Sequence, residues 1–211
     1  MSERFVRQLE ELHVELITMG SLCEKAISLS AKAIQGEGGM TLIGKIFETE
    51  KEIDAQEKEI ENLCMKLLLH EHPVAGDLRS ISAALKMISD MERIGDQASD
   101  IAELVLHLHA KSTDAVGVLE DILKMGDDVL KMVKRSIAAY VQVDLAAAAE
   151  VIAHDDVIDA AFRRISSEIA QYIAAHPTEA ETALDLFMVT KYLERLGDHA
   201  VNCLLYTSPS P

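Results

Sequence analysis

The feature of this sequence that most restricts its fold is an internal repeat. Glu92-Arg-Ile-Gly-Asp96 returns later in the chain as Glu194-Arg-Leu-Gly-Asp198. Other short matches connect the two halves, and they are Met19-Gly20 with Met125-Gly126, Glu50-x-x-Ile53-Asp54 with Asp155-x-x-Ile158-Asp159, and His72-Pro73 with His176-Pro177. Because these matches keep one order and similar offsets, they indicate two copies of one structural unit.

Each copy is expected to contain three long helices. Glycines, prolines and short polar stretches divide the chain into six segments, and within them apolar residues recur every three or four positions. A good example is the series Leu85, Ile88, Met91, Ile94, Ala98, Ile101 and Val105. Aromatic residues make up only 4% of the chain, and the apolar remainder suits helix packing better than sheets. The sequence therefore predicts an all-α fold of two tandem three-helix bundles with six long helices.

The predicted units are residues 1–111 for the first bundle and residues 112–202 for the second. Residues 203–211 are interpreted as a tail outside the pattern, truncated or foreign, because they lack an amphipathic continuation and two prolines oppose a helix there.

Composition excludes several classes of partner and compartment. The formal net charge is −16, so the chain repels nucleic acid phosphates and anionic lipid surfaces. The three cysteines form no CxxC pair, which fits a reducing cytoplasm and not a disulfide framework. The charged start predicts no signal peptide, and no apolar run approaches the roughly 18 residues that a membrane span needs. A soluble cytoplasmic protein is expected.

The repeated motifs place acidic side chains in rows, because residues four apart lie on one face of a helix. The rows are Glu50 and Asp54; Glu92, Asp96 and Asp100; Asp155 and Asp159; and Glu194, Asp198 and Asn202. Pairing the second helix with the third, and the fifth with the sixth, sets these rows opposite each other. Oxygen ligands suit Mg²⁺, Mn²⁺, Ca²⁺ or iron, so the repeat predicts two metal sites, one in each bundle.

Two other interpretations of the acidic rows stay open. One is a solvated acidic face, which we favour for Glu57, Glu61 and Glu103. The other is an interhelical salt-bridge network, with Arg93 and Arg195 as the cations. The metal interpretation gains support from the glycine inside each signature, because glycine costs about 1 kcal/mol in a helix and indicates close helix approach.

The histidines carry a weaker signal than the carboxylates. His199 follows Asp198, but the first half has Gln97 at that position. A ligand role would therefore be asymmetric, and we expect a core or surface histidine.

These motifs resemble the PhoU family of phosphate-signalling proteins. The resemblance rests on Asp77-Leu-Arg79, on Asp90-x-Glu92-Arg-Ile-Gly-Asp96-x-x-x-Asp100, and on Leu193-Glu-Arg-Leu-Gly-Asp-His-Ala-Val-Asn202, and it covers the chain from the first helix to Asn202. It implies a cytoplasmic, non-enzymatic regulator that keeps phosphate-starvation genes repressed when phosphate is plentiful. The implied partners are the phosphate ABC transporter ATPase and a sensor histidine kinase, and dimers are common in the family.

The resemblance also implies metal ligation by the E/DxxxD motifs. We expect divalent or trivalent ions, Mg, Mn, Fe or Zn, with Arg79, Arg93 and Arg195 in structural ion pairs. A di-iron carboxylate enzyme is one alternative, although only Glu10-x-x-His13 has the Glu-x-x-His spacing which that class needs on two helices. A metal-free helical scaffold is the other.

Overall fold

The computed structural model describes residues 3–70, 73–109, 116–142 and 144–205. Its elements are α1 (Glu3–Ile34), α2 (Gly39–His70), α3 (Ala75–His109), α4 (Val116–Gln142), α5 (Leu145–Ala175) and α6 (Ala180–Leu205), with a 3₁₀ turn at Pro177–Glu179 before α6. No strand occurs in the described ranges. The prediction of six long helices is confirmed.

The helix boundaries follow from local chemistry. After α1 the chain turns through Gly36, Gly38 and Gly39, whose φ angles are 83°, 70° and 51°. Only glycine adopts such positive φ angles without strain, so the turn can be tight. Asp144 caps α5, and its side-chain Oδ1 accepts hydrogen bonds of 3.0 Å from the backbone N–H groups of Ala146 and Ala147.

The helices form two bundles side by side. α1, α2 and α3 pack against one another, and so do α4, α5 and α6. The bundles meet through α1 with α4 and α3 with α6. The inward stripes of all six helices form a core of Ile, Leu, Val, Met and Ala side chains, as the heptad-like spacing predicts. None of the six helices, over the residues described, is apolar enough to cross a bilayer.

The end of α6 lies beyond the boundary predicted at Asn202. The helix runs to Leu205, and Cys203 and Leu204 are buried in the core because they continue its inward stripe. These residues belong to the second bundle. Residues 206–211 of the predicted tail, and the boundary at 111/112, lie outside the described residues.

Candidate metal centres

The first half of the chain brings three predicted ligands together. One carboxylate oxygen from each of Glu50, Asp54 and Asp96 lies within 4.8 Å of the others. Glu50 and Asp54 stand one turn apart on α2, while Ile53 between them is fully buried and fixes the orientation of that helix face. A Cβ atom at Gly95 of α3 would lie only 3.1 Å from Ile53 Cδ1. The glycine therefore permits the close helix approach that the sequence indicated, and Asp96 reaches the α2 carboxylates.

Burial and mutual repulsion raise the pKa values of several acids around this cluster. Burial raises the pKa of Glu50, and the charges of Asp54 and Asp96 raise it further. Burial also raises the pKa of Glu92, and Asp96 adds to that rise. Glu57 behaves in the same way, with burial first and the charges of Glu61 and Asp54 next. Glu57 thus lies among these acids, although the sequence favoured a solvated face for it.

Arg93 is the nearest cation, and its ion pairs run along α3. Its guanidinium lies 3.6 Å from Glu92 Oε2 and 3.3 Å from Asp96 Oδ2. The Arg93 side chain is 61% exposed, so such pairs contribute only about 0–1 kcal/mol. Over the described part of the chain, no Lys or Arg comes within ion-pair distance of Glu50 or Asp54. A bound cation would offset the repulsion among these carboxylates that Arg93 does not neutralise.

The second half assembles a looser cluster from α5 and α6. Burial raises the pKa of Asp155 to about 6, and the charges of Asp198 and Asp159 contribute next. Burial likewise raises the pKa of Asp198, followed by the charge of Glu194. These four carboxylates share one region, since the charges of Asp159, Glu194 and Asp198 all raise the pKa of Asp155. Among the described residues, however, only the first half has three ligand atoms within 4.8 Å of one another.

Cations engage two acids of this second cluster. The Lys191 ammonium lies 2.5 Å from Glu194 Oε2, and the Arg163 guanidinium lies 3.4 Å from Asp159 Oδ2. In each half, basic residues thus pair with two of the acids, but the Lys191 side chain is 33% exposed whereas that of Arg93 is 61% exposed.

Asp100 and Asn202, the last members of the α3 and α6 rows, lie at the junction of the bundles. Asn202 Nδ2 donates a 3.1 Å hydrogen bond to Asp90 Oδ1, and His199 Nδ1 lies 2.8 Å from the same oxygen. The Tyr192 side chain lies close enough to the Asp100 carboxyl to lower the pKa of that group. Asn202 is thus directed across to α3 and not toward the acids of its own bundle.

The two junction contacts are copies of one arrangement. Aligning the signature Glu92 with Glu194 makes Asp90 equivalent to Tyr192 and Asp100 equivalent to Asn202. Each contact joins one position of α3 to the partner position of α6, so the two helices cross antiparallel about a pseudo-twofold axis. The sequence contains a signal for Asp90, an acid inside an otherwise apolar stretch, but its role at the junction was not predicted. Asp90 is only 8% exposed.

The remaining predicted residues have supporting positions. Arg195 is exposed on α6, and its charge opposes the rise that burial and Glu103 cause in the pKa of Asp100. Arg79 is exposed near the start of α3, where no ion pair joins it to another residue of the described ranges. His199 is half-buried, and its Nδ1 lies against Asp90.

The donor set of the first cluster fits a hard cation. Three carboxylate oxygens that lie up to 4.8 Å apart can surround one ion at the roughly 2.3–2.6 Å typical of Ca²⁺. Small side-chain shifts reach the shorter distance of about 2.0–2.1 Å that Mg²⁺ requires. The three carboxylates can therefore hold a cation through oxygen atoms of both α2 and α3.

Comparison with known proteins agrees with this architecture. A family model described as the PhoU domain matches residues 16–105 and again residues 122–207. A Clostridium acetobutylicum protein named phosphate-specific transport system accessory protein PhoU homolog is 36% identical over 199 residues, covering 94% of this chain and 90% of that protein. A Pseudomonas aeruginosa protein of the same name is 30% identical and covers 96% of this chain and 83% of its own length.

Solved structures show the same fold. The crystal structure of PhoU from Pseudomonas aeruginosa matches with a TM-score of 0.89 at 29% identity, covering 96% of both chains. The double match to one domain model, the level of identity and the shared fold lead to one conclusion: this chain belongs to the PhoU family.

Proposed function

We propose that this protein is a cytoplasmic regulator of phosphate uptake. It acts as a metal-binding helical adaptor that connects the phosphate ABC transporter ATPase with a sensor histidine kinase. The names of its relatives, phosphate-specific transport system accessory proteins, support the phosphate role. The role is one of binding and not of catalysis.

The observation that carries the metal assignment is the convergence of Glu50, Asp54 and Asp96 from two helices. We assign Glu92 to the same centre as a neighbouring acid. In the second half the proposed ligands are Asp155, Asp159, Glu194 and Asp198. Asp100 and Asn202 are assigned to the bundle junction instead, since they contact Tyr192 and Asp90 there.

Metal would act as a cross-link within each bundle. Like charges at helical spacing destabilise an isolated helix by about 0.2–0.5 kcal/mol per pair, and a shared cation reverses that sign. Mg, Mn, Fe and Zn all remain within the proposal, because carboxylates accept each of them. Holding α2 to α3 and α5 to α6 would fix the outer helix faces on which partners dock.

Elemental analysis of protein purified without added metal tests the metal assignment. Asp96→Asn with Asp198→Asn removes one ligand from each half and is expected to strip bound metal while helicity stays largely intact. A matched control is Glu48→Gln with Glu103→Gln, which removes the same charge from exposed positions on α2 and α3. Stoichiometric metal in the Asp96/Asp198 variant would defeat the assignment.

The partner assignment needs its own experiment. Tagged protein should retain the transporter ATPase and the sensor kinase from a lysate, and purified components should reproduce each pair. Light scattering during size exclusion would test the predicted homodimer. Loss of both pairs with pure components would leave the adaptor role without support.

The two alternatives predict different results. A di-iron enzyme should consume oxygen when ferrous iron is added, but the ring of His13 stacks on Tyr140 at 6.2 Å, in the contact between α1 and α4. No observation therefore favours His13 as a ligand. A metal-free scaffold predicts that a chelator leaves thermal stability unchanged.

A further inference from the structure

The two acidic clusters differ in sequence at positions that the repeat makes equivalent. Aligning Ile53 of α2 with Ile158 of α5 sets Glu57 against Phe162. In the first half Glu57 adds a negative charge, and it is one of the acids that raise the pKa of Glu92. The second half has an aromatic ring in its place.

A second difference lies on the facing helices. Aligning Gly95 with Gly197 sets Ser89 of α3 against Lys191 of α6. Ser89 is exposed and neutral. At these two pairs of positions the second half has one carboxylate fewer and one ammonium more than the first. Lys51 against Asp156 is the opposite difference, since Lys51 lowers the pKa of Glu50 and Asp156 raises the pKa of Asp155, so the two halves differ in where their charges lie.

Lys191 is held by two contacts and not merely near the acids. Its ammonium lies 2.5 Å from Glu194 Oε2 and 5.0 Å from the centroid of the Phe162 ring. Both substituted positions therefore meet in one contact, a cation between a carboxylate and an aromatic face. The Glu194 side chain is only 13% exposed, so water screens this pair less than a surface ion pair. The charge of Lys191 also reaches Asp198.

We propose that Lys191 competes with metal for the carboxylates of the second half. Metal therefore fills the first half before it fills the second. This inference rests on the proposed metal-binding function. A metal entering the second cluster must break the Lys191–Glu194 pair or accept a positive neighbour within a few ångströms. Arg93 is the cation that pairs with the first cluster, at 3.3 Å from Asp96, but its side chain is 61% exposed while that of Lys191 is 33% exposed. Water therefore screens Arg93 more than Lys191, and Arg93 competes less with a metal ion.

Titration of metal-free protein with Mn²⁺, followed by the electron paramagnetic resonance signal of the free ion, tests the order of filling. Glu50→Gln with Asp96→Asn disables the first half, so that the second half is measured alone. In that background Lys191→Met should tighten Mn²⁺ binding roughly tenfold or more, since it removes a unit charge at close range. The control is Lys131→Met, because Lys131 forms an i,i+3 ion pair with Asp128 at 3.0 Å on α4. We expect the control to change the affinity little.

The reciprocal exchange keeps the proposal testable if Lys191→Met alters the fold, which circular dichroism would reveal. Asp155→Asn with Asp198→Asn leaves the first half active, and Ser89→Lys in that background should weaken its Mn²⁺ binding by a similar factor. The Lys191 proposal is overturned, and the metal function survives, if both halves bind equally tightly or if neither exchange changes the affinity. Absence of Mn²⁺ binding in the unmodified protein overturns both.

Discussion

The first and second bundles share a backbone frame but differ in how their acidic and basic side chains are arranged. In both halves a serine of the first helix hydrogen-bonds a carbonyl oxygen on the third: Ser30 donates to Ala98 at 3.2 Å, and Ser136 donates to Ala200 at 2.9 Å. Around that common frame, the first cluster brings three acids within 4.8 Å of one another, whereas the second holds Lys191 against Glu194.

This difference shows which features of a duplicated unit can diverge. Changing a packed backbone contact disturbs the core, because interiors are close-packed. Changing a half-exposed side chain at a cluster edge alters the local field while the fold stays the same. The two copies therefore give an internal control, in which one frame carries two electrostatic environments.

The largest expected contrast lies at the junction of the bundles, where Asp90 and Tyr192 occupy equivalent positions. His199→Ala with Asn202→Ala removes two partners from the buried Asp90 carboxylate and should lower the free energy of unfolding by about 2–3 kcal/mol. Tyr192→Phe removes the hydroxyl that lies near Asp100 at the more exposed copy and should cost less, at most about 0.5–1.5 kcal/mol. Urea unfolding of metal-free protein measures both. Equal costs would mean that the two copies of the junction are energetically the same.

The sequence was sufficient to predict the frame, because periodicity and repetition report helices and their order directly. It predicted the convergence of Glu50, Asp54 and Asp96 for the same reason, since spacing on a helix fixes which side chains share a face. It could not place Asn202. That residue lies four positions after Asp198, which is one turn further along α6 and about 40° around its axis. At that point the neighbouring bundle, and not α5, supplies the contact. Knowledge of how the bundles meet was needed.

The sequence likewise could not predict which acids of the second cluster are paired with basic residues. Lys191 stands in the fourth turn of α6, and nothing in its spacing shows that it reaches both Phe162 and Glu194. The signal that the sequence offered was the difference between Ser89 in the first half and Lys191 at the equivalent position of the second.

The next contrast concerns pH and the equivalent acids Glu50 and Asp155. In the folded chain burial, followed by the neighbouring acids, raises the pKa of Asp155 to about 6, above the usual value near 3.9 of an unfolded aspartate. Between these values the folded state binds more protons than the unfolded state, so this group destabilises the metal-free fold as pH rises through the interval. The penalty is full above about pH 6 and absent below about pH 4.

Asp155→Asn should therefore raise the unfolding temperature of metal-free protein by about 2–4 °C near neutral pH, which corresponds to roughly 1 kcal/mol for a chain of this size. The gain should vanish at about pH 4, where the carboxyl is protonated in both states. Glu50→Gln is expected to act in the same direction with a smaller gain. Thermal unfolding across this pH range checks both variants, and a pH-independent gain would point to packing and not to charge.

The smallest contrast tests the glycines that permit close helix approach. Alanine gains about 1 kcal/mol over glycine from helix propensity alone. At Gly197 the added methyl group would lie 3.5 Å from Asp155 Oδ1 and from Ile158 Cγ2, which is ordinary contact, so Gly197→Ala should retain most of that gain. At Gly95 it would lie 3.1 Å and 3.3 Å from two atoms of Ile53, a side chain that is fully buried and has little room to move.

Gly95→Ala should therefore be less stable than Gly197→Ala by about 1 kcal/mol, because overpacking opposes the gain in propensity. It should also weaken metal binding in the first half only, since Ile53 adjoins Asp54 and separates it from Glu50 on the α2 face. Urea unfolding and Mn²⁺ titration of the two variants side by side measure both effects. Equal stability of the variants, with unchanged affinity, would show that Ile53 yields freely and that the first cluster does not depend on the closeness of α2 and α3.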